Sequence, residues 1–233
     1  CGLSETSTYC FAAADDLARL GIPETGRGVP VKIIRPLVAE QSEMRRDLLP
    51  GLLRSVAYNL DHGVSNVALY EIGRVFFGHE SKSLPDEPSY VCGVMCGRRA
   101  DDAWNQRYDE YDFFDAKGVV EELLDALRVT KVRFKAADPE QYPWLQPGRA
   151  AEVLARGEVV GWVGNVHPRG LRAMGVDAPV VAFELSQAAL LRLAADELPY
   201  QDVPTLPGVD VDLAIVVDES VTCETLMQRI TSA

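Results

Sequence analysis

Arg74, in the stretch Leu69–Gly78 (LYEIGRVFFG), is a cation in an otherwise alternating apolar run. Such a side chain can meet a nucleotide phosphate, or it can form the solvent side of a structural strand. The same question attaches to Arg149 in QPGRAA, Gln146–Ala151. One glycine beside an arginine does not make a phosphate-cradling loop, and a turn or interface cation is the simpler reading. Asp112 and Asp115 could act as a carboxylate pair, but Asp115 also stands where a helix begins, and anions are favoured there. His62, His79 and His167 lack a Ser or Cys partner at a nucleophile elbow. They read as loop histidines, with His167 entering a helix ahead of Pro168. Cys92 and Cys96, four apart in VCGVMCG, share one face of a strand. Without a second Cys or His pair at metal spacing they read as reduced, metal-free thiols. Trp104, Trp144 and Trp162 read as core or interface aromatics.

Composition narrows the choices. Of 233 residues, 47% are apolar and 25% charged, which predicts a packed core rather than disorder. The formal charge of −12 repels phosphate backbones, which argues against non-specific nucleic-acid binding. Five scattered cysteines, an odd number, point to reduced thiols. No apolar run approaches the roughly 20 residues needed to span a bilayer, and no basic-then-apolar leader opens the chain. The expectation is a cytoplasmic protein without membrane contact. It starts at Cys1 rather than methionine, which suggests a piece of a longer protein.

The elements that must position these residues follow from periodicity. Phe11, Leu17 and Leu20 lie in helical register, ended by Gly21 and Pro23. VPVKIIRP reads as a short strand stopped at Pro36. Met44, Leu48, Leu49, Leu52, Val56 and Leu60 form a helical stripe, and Pro50 places the helix start near Leu49. Alternation over Val67–Phe77 and Tyr90–Gly97 predicts an antiparallel pair. A helix carrying Val119, Val120, Leu123, Leu124 and Leu127 follows. Strands are then expected near Val132–Phe134, Ala150–Leu154, Val159–Val166 and Val180–Leu185. From Leu198 the proline-rich stretch LPYQDVPTLPG reads as a linker. It leads to a strand, VDLAIVV, and a helix, ETLMQRI, which are too little to bury a core alone.

Seven phrases, taken in order, resemble the C-terminal part of the bacterial phenylalanyl-tRNA synthetase β-subunit family. They are STYCF (Ser7–Phe11), MRRDLLPGLL (Met44–Leu53), LYEIGRVF (Leu69–Phe76), DFFDAKG (Asp112–Gly118), QPGRAA, VGNVHP (Val163–Pro168) and AFEL (Ala182–Leu185). The chain departs from the family pattern at Arg35, usually asparagine, at Gln146, usually histidine, and at Asn165, usually glutamate. Asp210 and Val211 stand where the family tends to carry basic residues.

The resemblance implies an α+β fold, a class II aminoacyl-tRNA synthetase-like antiparallel sheet flanked by helices. It implies a non-catalytic module over residues 1–196. A linker and the truncated start of a ferredoxin-like anticodon-binding domain would occupy residues 197–233. The implied partner is the catalytic α subunit, with tRNA contacted mainly by other parts of the holoenzyme. ATP and Mg are expected only in that holoenzyme, and no cofactor or metal in this stretch. The first motif of this fold, a helix and a proline-ended strand at the subunit interface, matches Phe11–Leu20 and Val31–Pro36. Candidate interface residues are therefore Leu17, Leu20, Ile33 and Pro36, with Arg45 and Arg46 beside them. Left uncovered, that apolar surface would favour self-association.

The second motif of active members aims an arginine at the α-phosphate of ATP. Here Phe77 takes that place, and Arg74 lies three residues earlier on the opposite strand face. In the third motif, Glu184-Leu185-Ser186-Gln187 replace glycines followed by Glu-Arg. Nucleotidyl transfer relies on positioned positive charge, so a non-catalytic scaffold for the α subunit is expected. The alternatives are an ATP-dependent ligase with an unusual site and a free-standing protein-binding or regulatory module with this fold.

Overall fold

Within the computed structural model, residues 2–81, 84–101, 103–195, 202 and 207–231 are described. In chain order the elements are β1 (Ser4–Glu5), β2 (Phe11–Ala12), α1 (Asp16–Leu20), β3 (Glu43–Met44), α2 (Leu49–Asp61), β4 (Val67–Arg74), β5 (Ser89–Cys96) and α3 (Phe113–Ala126). There follow β6 (Val132–Ala136), β7 (Leu145–Ala155), β8 (Glu158–Val166), α4 (Pro168–Ala173), β9 (Val180–Ser186), α5 (Gln187–Leu193) and α6 (Cys223–Thr231). The chain divides into two units, Cys1–Asp196 and Glu197–Ala233.

A seven-stranded sheet in the order β1-β4-β5-β9-β8-β7-β6 organises the first unit. Every neighbouring pair is antiparallel except β1 with β4, which is parallel, so the sheet is mixed. Alternation sorts β5 between two cores. Cys92, Val94 and Cys96 face one side, with Leu17, Leu20, Leu48, Leu49, Leu52 and Leu171 from α1, α2, α4 and the turn into α2. Val91 and Met95 face the other, with Val120 and Leu124 of α3 and Leu190 of α5. Two helical layers thus bury both faces of one sheet, as such elements must to remove their apolar stripes from water. The hairpin between β7 and β8 turns on Arg156 and Gly157, both at positive φ, the geometry that suits the twist of a two-residue hairpin.

Three expectations change. Phe11 and Ala12 belong to a short strand paired with Glu43 and Met44, not to a helix, and α1 covers five residues only. Sheet pairing and the bond from the Ala13 N–H to Asp16 Oδ2, 3.1 Å, outweigh the helix preference of the alanines. Val31–Pro36 makes a single isolated bridge, Lys32 with Glu43, rather than a continuous strand. Arg35 there takes φ +57°, which interrupts extended backbone. In the second unit, Val211–Val217 is exposed and outside any strand, because a lone strand has no neighbour for its N–H and C=O groups. Most of the linker expected over Leu198–Gly208 lies outside the described residues.

Candidate functional site

Strand register lines up one residue from each of five strands on the α1/α2/α4 face. Glu71 of β4 pairs with Cys92 of β5, Cys92 with Glu184 of β9, Glu184 with Trp162 of β8, and Trp162 with Glu152 of β7. Three buried carboxylates, Glu71, Glu184 and Glu152, therefore form a transverse row under the helices. Each needs a partner, because burying an unpaired charge is far costlier than burying a neutral group.

The MRRDLLPGLL segment supplies partners by folding three charged residues inward just ahead of α2. Arg45 Nη1 donates to Glu71 Oε1 at 2.6 Å and to Thr8 Oγ1 at 3.0 Å, while its Nε donates to the Arg74 carbonyl at 2.8 Å. The Thr8 hydroxyl closes the group by donating to Glu71 Oε2 at 2.7 Å. Asp47 pairs with Arg27 at 2.6 Å and accepts the Leu49 N–H at 2.8 Å, which anchors the start of α2. Arg46 reaches Glu24 at 3.4 Å and Glu43 at 3.8 Å. At the far end of the row, Glu152 accepts from Lys135 at 3.3 Å and from the Tyr142 hydroxyl at 3.2 Å.

Glu184 is the exception. No side-chain cation donates to it directly among the described residues, and its Oε2 is buried without a hydrogen-bond partner. Burial, and then the neighbouring Asp47 carboxylate, push its pKa up to about 8, against the pull of Arg27 and the Leu48 N–H. Burial opposes the charge of Arg27, but Asp47, Glu184 and Tyr90 more than offset it, and its pKa is raised. Burial together with Glu184 also raises the Tyr90 phenol and carries the Cys92 thiol well above its usual value. Tyr142 is pushed up to about 12 by burial and by Glu152.

This geometry bears on phosphate chemistry. Arg74 ends β4 with its side chain 67% exposed, paired with Glu87 at 3.1 Å, and Phe77 is half-buried against the core. Three strands separate β4 from β7, which carries Arg149, a spacing of roughly 19 Å, so these two arginines do not converge. Glu184 of β9 faces α2 as a buried carboxyl. Arg27, Arg45 and Arg46, on this side of the sheet, are directed at the chain's own carboxylates. What the row can do is clamp the start of α2 onto β4, through Arg45 and Glu71, and onto β9, through the Leu48 N–H and Glu184.

The other candidates divide between core and surface. Leu17 and Leu20 are buried in the chain's own core, and Arg45 and Arg46 are buried in the ion pairs above; none of the four presents its side chain as a surface. Ile33 is half-buried and Pro36 exposed. Beside them Ile34 and Leu37 stand out, 90% and 95% exposed. Asp112 caps α3, accepting from the Phe114 and Asp115 N–H groups, and Asp115 returns a bond to the Asp112 N–H. His167 caps α4 through Nδ1, His62 ends α2 stacked on Tyr58, and His79 lies 2.8 Å from Asp86. Cys92 and Cys96 are buried on one strand face. Trp144 and Trp162 pack edge to face in the core, whereas Trp104 is exposed. The sequence reading missed Arg27, Asp47, Glu71 and Glu184. The signal for the two glutamates was available: each stands in phase with the apolar, inward positions of its strand.

A family model described as phenylalanyl tRNA synthetase beta chain CLM domain matches residues 1–187. The phenylalanine–tRNA ligase beta subunit of Moorella thermoacetica is 41% identical over 217 residues, 93% of this chain and 26% of that protein. That of Syntrophotalea carbinolica is 37% identical over 221 residues, covering 94% and 27%. That of Bacillus thuringiensis subsp. konkukian is 35% identical over 232 residues, covering 100% and 28%. The chain thus spans about a quarter of the length of the curated relatives it matches.

Proposed function

The chain belongs to the phenylalanyl-tRNA synthetase β-chain family, and from that premise we propose that it is a non-catalytic, synthetase-like module that scaffolds the catalytic α subunit. The reaction served is the ATP-dependent attachment of phenylalanine to its tRNA, in the cytoplasm. The observation that carries this reading is the carboxylate row. One face of the sheet is filled by α2 and by Arg27, Arg45, Arg46 and Asp47, whose charges are paired within the chain. ATP and Mg belong to the holoenzyme rather than to this stretch.

The module lies in the C-terminal part of the β subunit, and the stretch from residue 197 opens the anticodon-binding domain. The proline-rich composition of Leu198–Gly208 and the exposed apolar residues Val209–Val217, which have no core of their own, support that placement. The α-subunit contact runs through the half-buried Ile33 and the exposed Ile34, Pro36 and Leu37, an apolar stretch of the kind that large partner interfaces cover. Among the described residues no helix is long and apolar enough to cross a membrane.

Co-expression with the α subunit tests the scaffold, and calorimetry of the chain alone tests the absence of nucleotide chemistry. Co-purification at equal stoichiometry is expected, with no heat from ATP or phenylalanine at millimolar concentration. Saturable ATP binding by the isolated chain would favour a ligase instead.

A further inference from the structure

The sheet ends at β6, whose outer side no strand covers among the described residues. Its ladder to β7 is fixed at both ends. The Ala137 N–H donates to the Ala150 carbonyl at 3.0 Å and the Arg156 N–H to the Lys131 carbonyl at 3.2 Å, continuing the register that pairs Val132 with Ala155 and Ala136 with Ala151. Bonded and non-bonded pairs alternate along an antiparallel ladder, so Lys131, Arg133, Lys135 and Ala137 turn their backbone groups toward β7. The N–H and C=O groups of Val132, Phe134 and Ala136 point off the sheet. No backbone hydrogen bond reaches these three from another element among the described residues. Such an edge is a template for one more strand.

The charge around this edge is opposite in sign to that of the chain. Arg128, Lys131, Arg133 and Lys135 follow one another with no Asp or Glu between Ala126 and Ala137, in a protein of net charge −12. Arg156 joins them, because its N–H bond to Lys131 sets the β7–β8 hairpin beside the turn into β6. All five are exposed. Lys135 also reaches Glu152 at 3.3 Å, whereas Arg128, Lys131 and Arg156 make no ion pair among the described residues. These last three hold φ of +56°, +58° and +51°, so cations occupy both turns although glycine adopts such backbone more readily. By alternation Arg133 and Lys135 share one face of β6, while Val132 and Phe134 share the other and pack on the α3 core.

We propose that β6 is a docking edge, to which an extended acidic segment of a partner protein adds as a further strand. The main chain of such a segment repeats every two residues, as do the outward groups of Val132, Phe134 and Ala136, and its carboxylates fall opposite Arg133 and Lys135. A second copy of the chain fits less well. Antiparallel pairing of β6 with itself about Phe134 would set Arg133 opposite Lys135, and like charges directly opposite are destabilising. A DNA backbone also fits less well, since it carries acceptors only and offers no donor to the three outward C=O groups. The edge lies across the sheet from β1 and uses none of Ile33, Ile34, Pro36 and Leu37, so it stands apart from the α-subunit reading.

Titration of the 233-residue chain at low salt with an acetylated hexapeptide of three Glu-Val repeats tests this, with three Lys-Val repeats and a DNA hexamer as controls. The Glu-Val peptide should bind saturably, at least tenfold more tightly than the Lys-Val peptide, and should weaken with added salt. Amide hydrogen exchange should slow at Val132, Phe134 and Ala136 and change little at Arg133 and Lys135, which β7 already holds. Ala136→Pro removes one outward N–H without touching the β7 ladder and should weaken the peptide at least tenfold. Lys131→Glu together with Arg133→Glu should reverse the preference between the two peptides. The exchange pattern is read on the unaltered chain and decides whatever the variants do to folding. Absence of saturable binding, protection that falls elsewhere, or binding unchanged in a folded Ala136→Pro protein overturns the proposal. Tighter binding of the DNA hexamer than of the Glu-Val peptide also overturns it, and assigns the cations to phosphate.

Discussion

Glu184 ties protonation to folding. Its carboxyl is raised from an ordinary 4.5 to about 8 by burial and by Asp47, so between these values the folded protein holds a proton that the unfolded chain has released. Its contribution is full below pH 4.5 and is lost as pH rises toward 8, by up to about 1.4 kcal/mol per unit. Glu184→Gln keeps the shape without the titration and should flatten that fall; urea unfolding at pH 5, 6.5 and 8 measures it. An unchanged slope in the variant would assign the pH dependence elsewhere. Arg45 gives a contrasting case, since its loss strands a buried Glu71 charge. Arg45→Met should cost about 3–5 kcal/mol, and adding Glu71→Leu should recover much of it, because replacing a whole buried pair by apolar groups is often near neutral. If the double variant is no more stable than Arg45→Met alone, the stranded charge is not the cause.

At the scale of elements, helix ends carry what the strands cannot. The helix α3 begins with a reciprocal cap in which Asp112 and Asp115 each satisfy the other's backbone N–H. The sequence places Asp115 at the helix start, and the structure adds Asp112 as the N-cap. Asp112→Ala should lower stability by about 1 kcal/mol, read as a fall in melting temperature. Arg99 lies 2.7 Å from Asp115, and this exposed pair adds little. A loss no larger than that of an exposed mid-helix substitution would show the cap to be dispensable. The helix α2 starts differently: Pro50 takes a position that needs no N–H partner, and Asp47 holds the Leu49 N–H while binding Arg27.

For the whole molecule, the division between core and surface decides what can meet a partner. Leu17 lies in the core beside α2 and α4, so Leu17→Glu should unfold the chain, since a buried charge without a partner costs more than the few kcal/mol that separate folded from unfolded states. Leu37 is exposed, so Leu37→Glu should leave the melting temperature within about 1 °C, a surface effect. It should nevertheless weaken association with the α subunit at least tenfold if the side chain lies at the centre of the contact. Thermal melts and pull-downs on the same two variants separate the roles. Normal association by a folded Leu37→Glu protein would move the contact away from this stretch.

Local pattern was enough for the elements whose signals need no distant partner. Pro50 and the stripe through Leu52 and Val56 place the start of α2, and alternation gives the β4–β5 pair. Asp115 marks the beginning of α3. Strand phase also determined that Glu71 and Glu184 point inward, because side chains repeat every two residues. Phase gives only the face, however, and register between strands far apart in sequence chose which inward residues meet. That choice put Glu71, Cys92, Glu184, Trp162 and Glu152 in one row and turned Arg45, which reads from sequence as a candidate interface cation, into a buried partner. Residues 11–12 became a strand and Leu17 a core residue for the same reason: pairing with β3 and packing on α2 and α4 outweighed a local helix preference worth only tenths of a kcal/mol per residue.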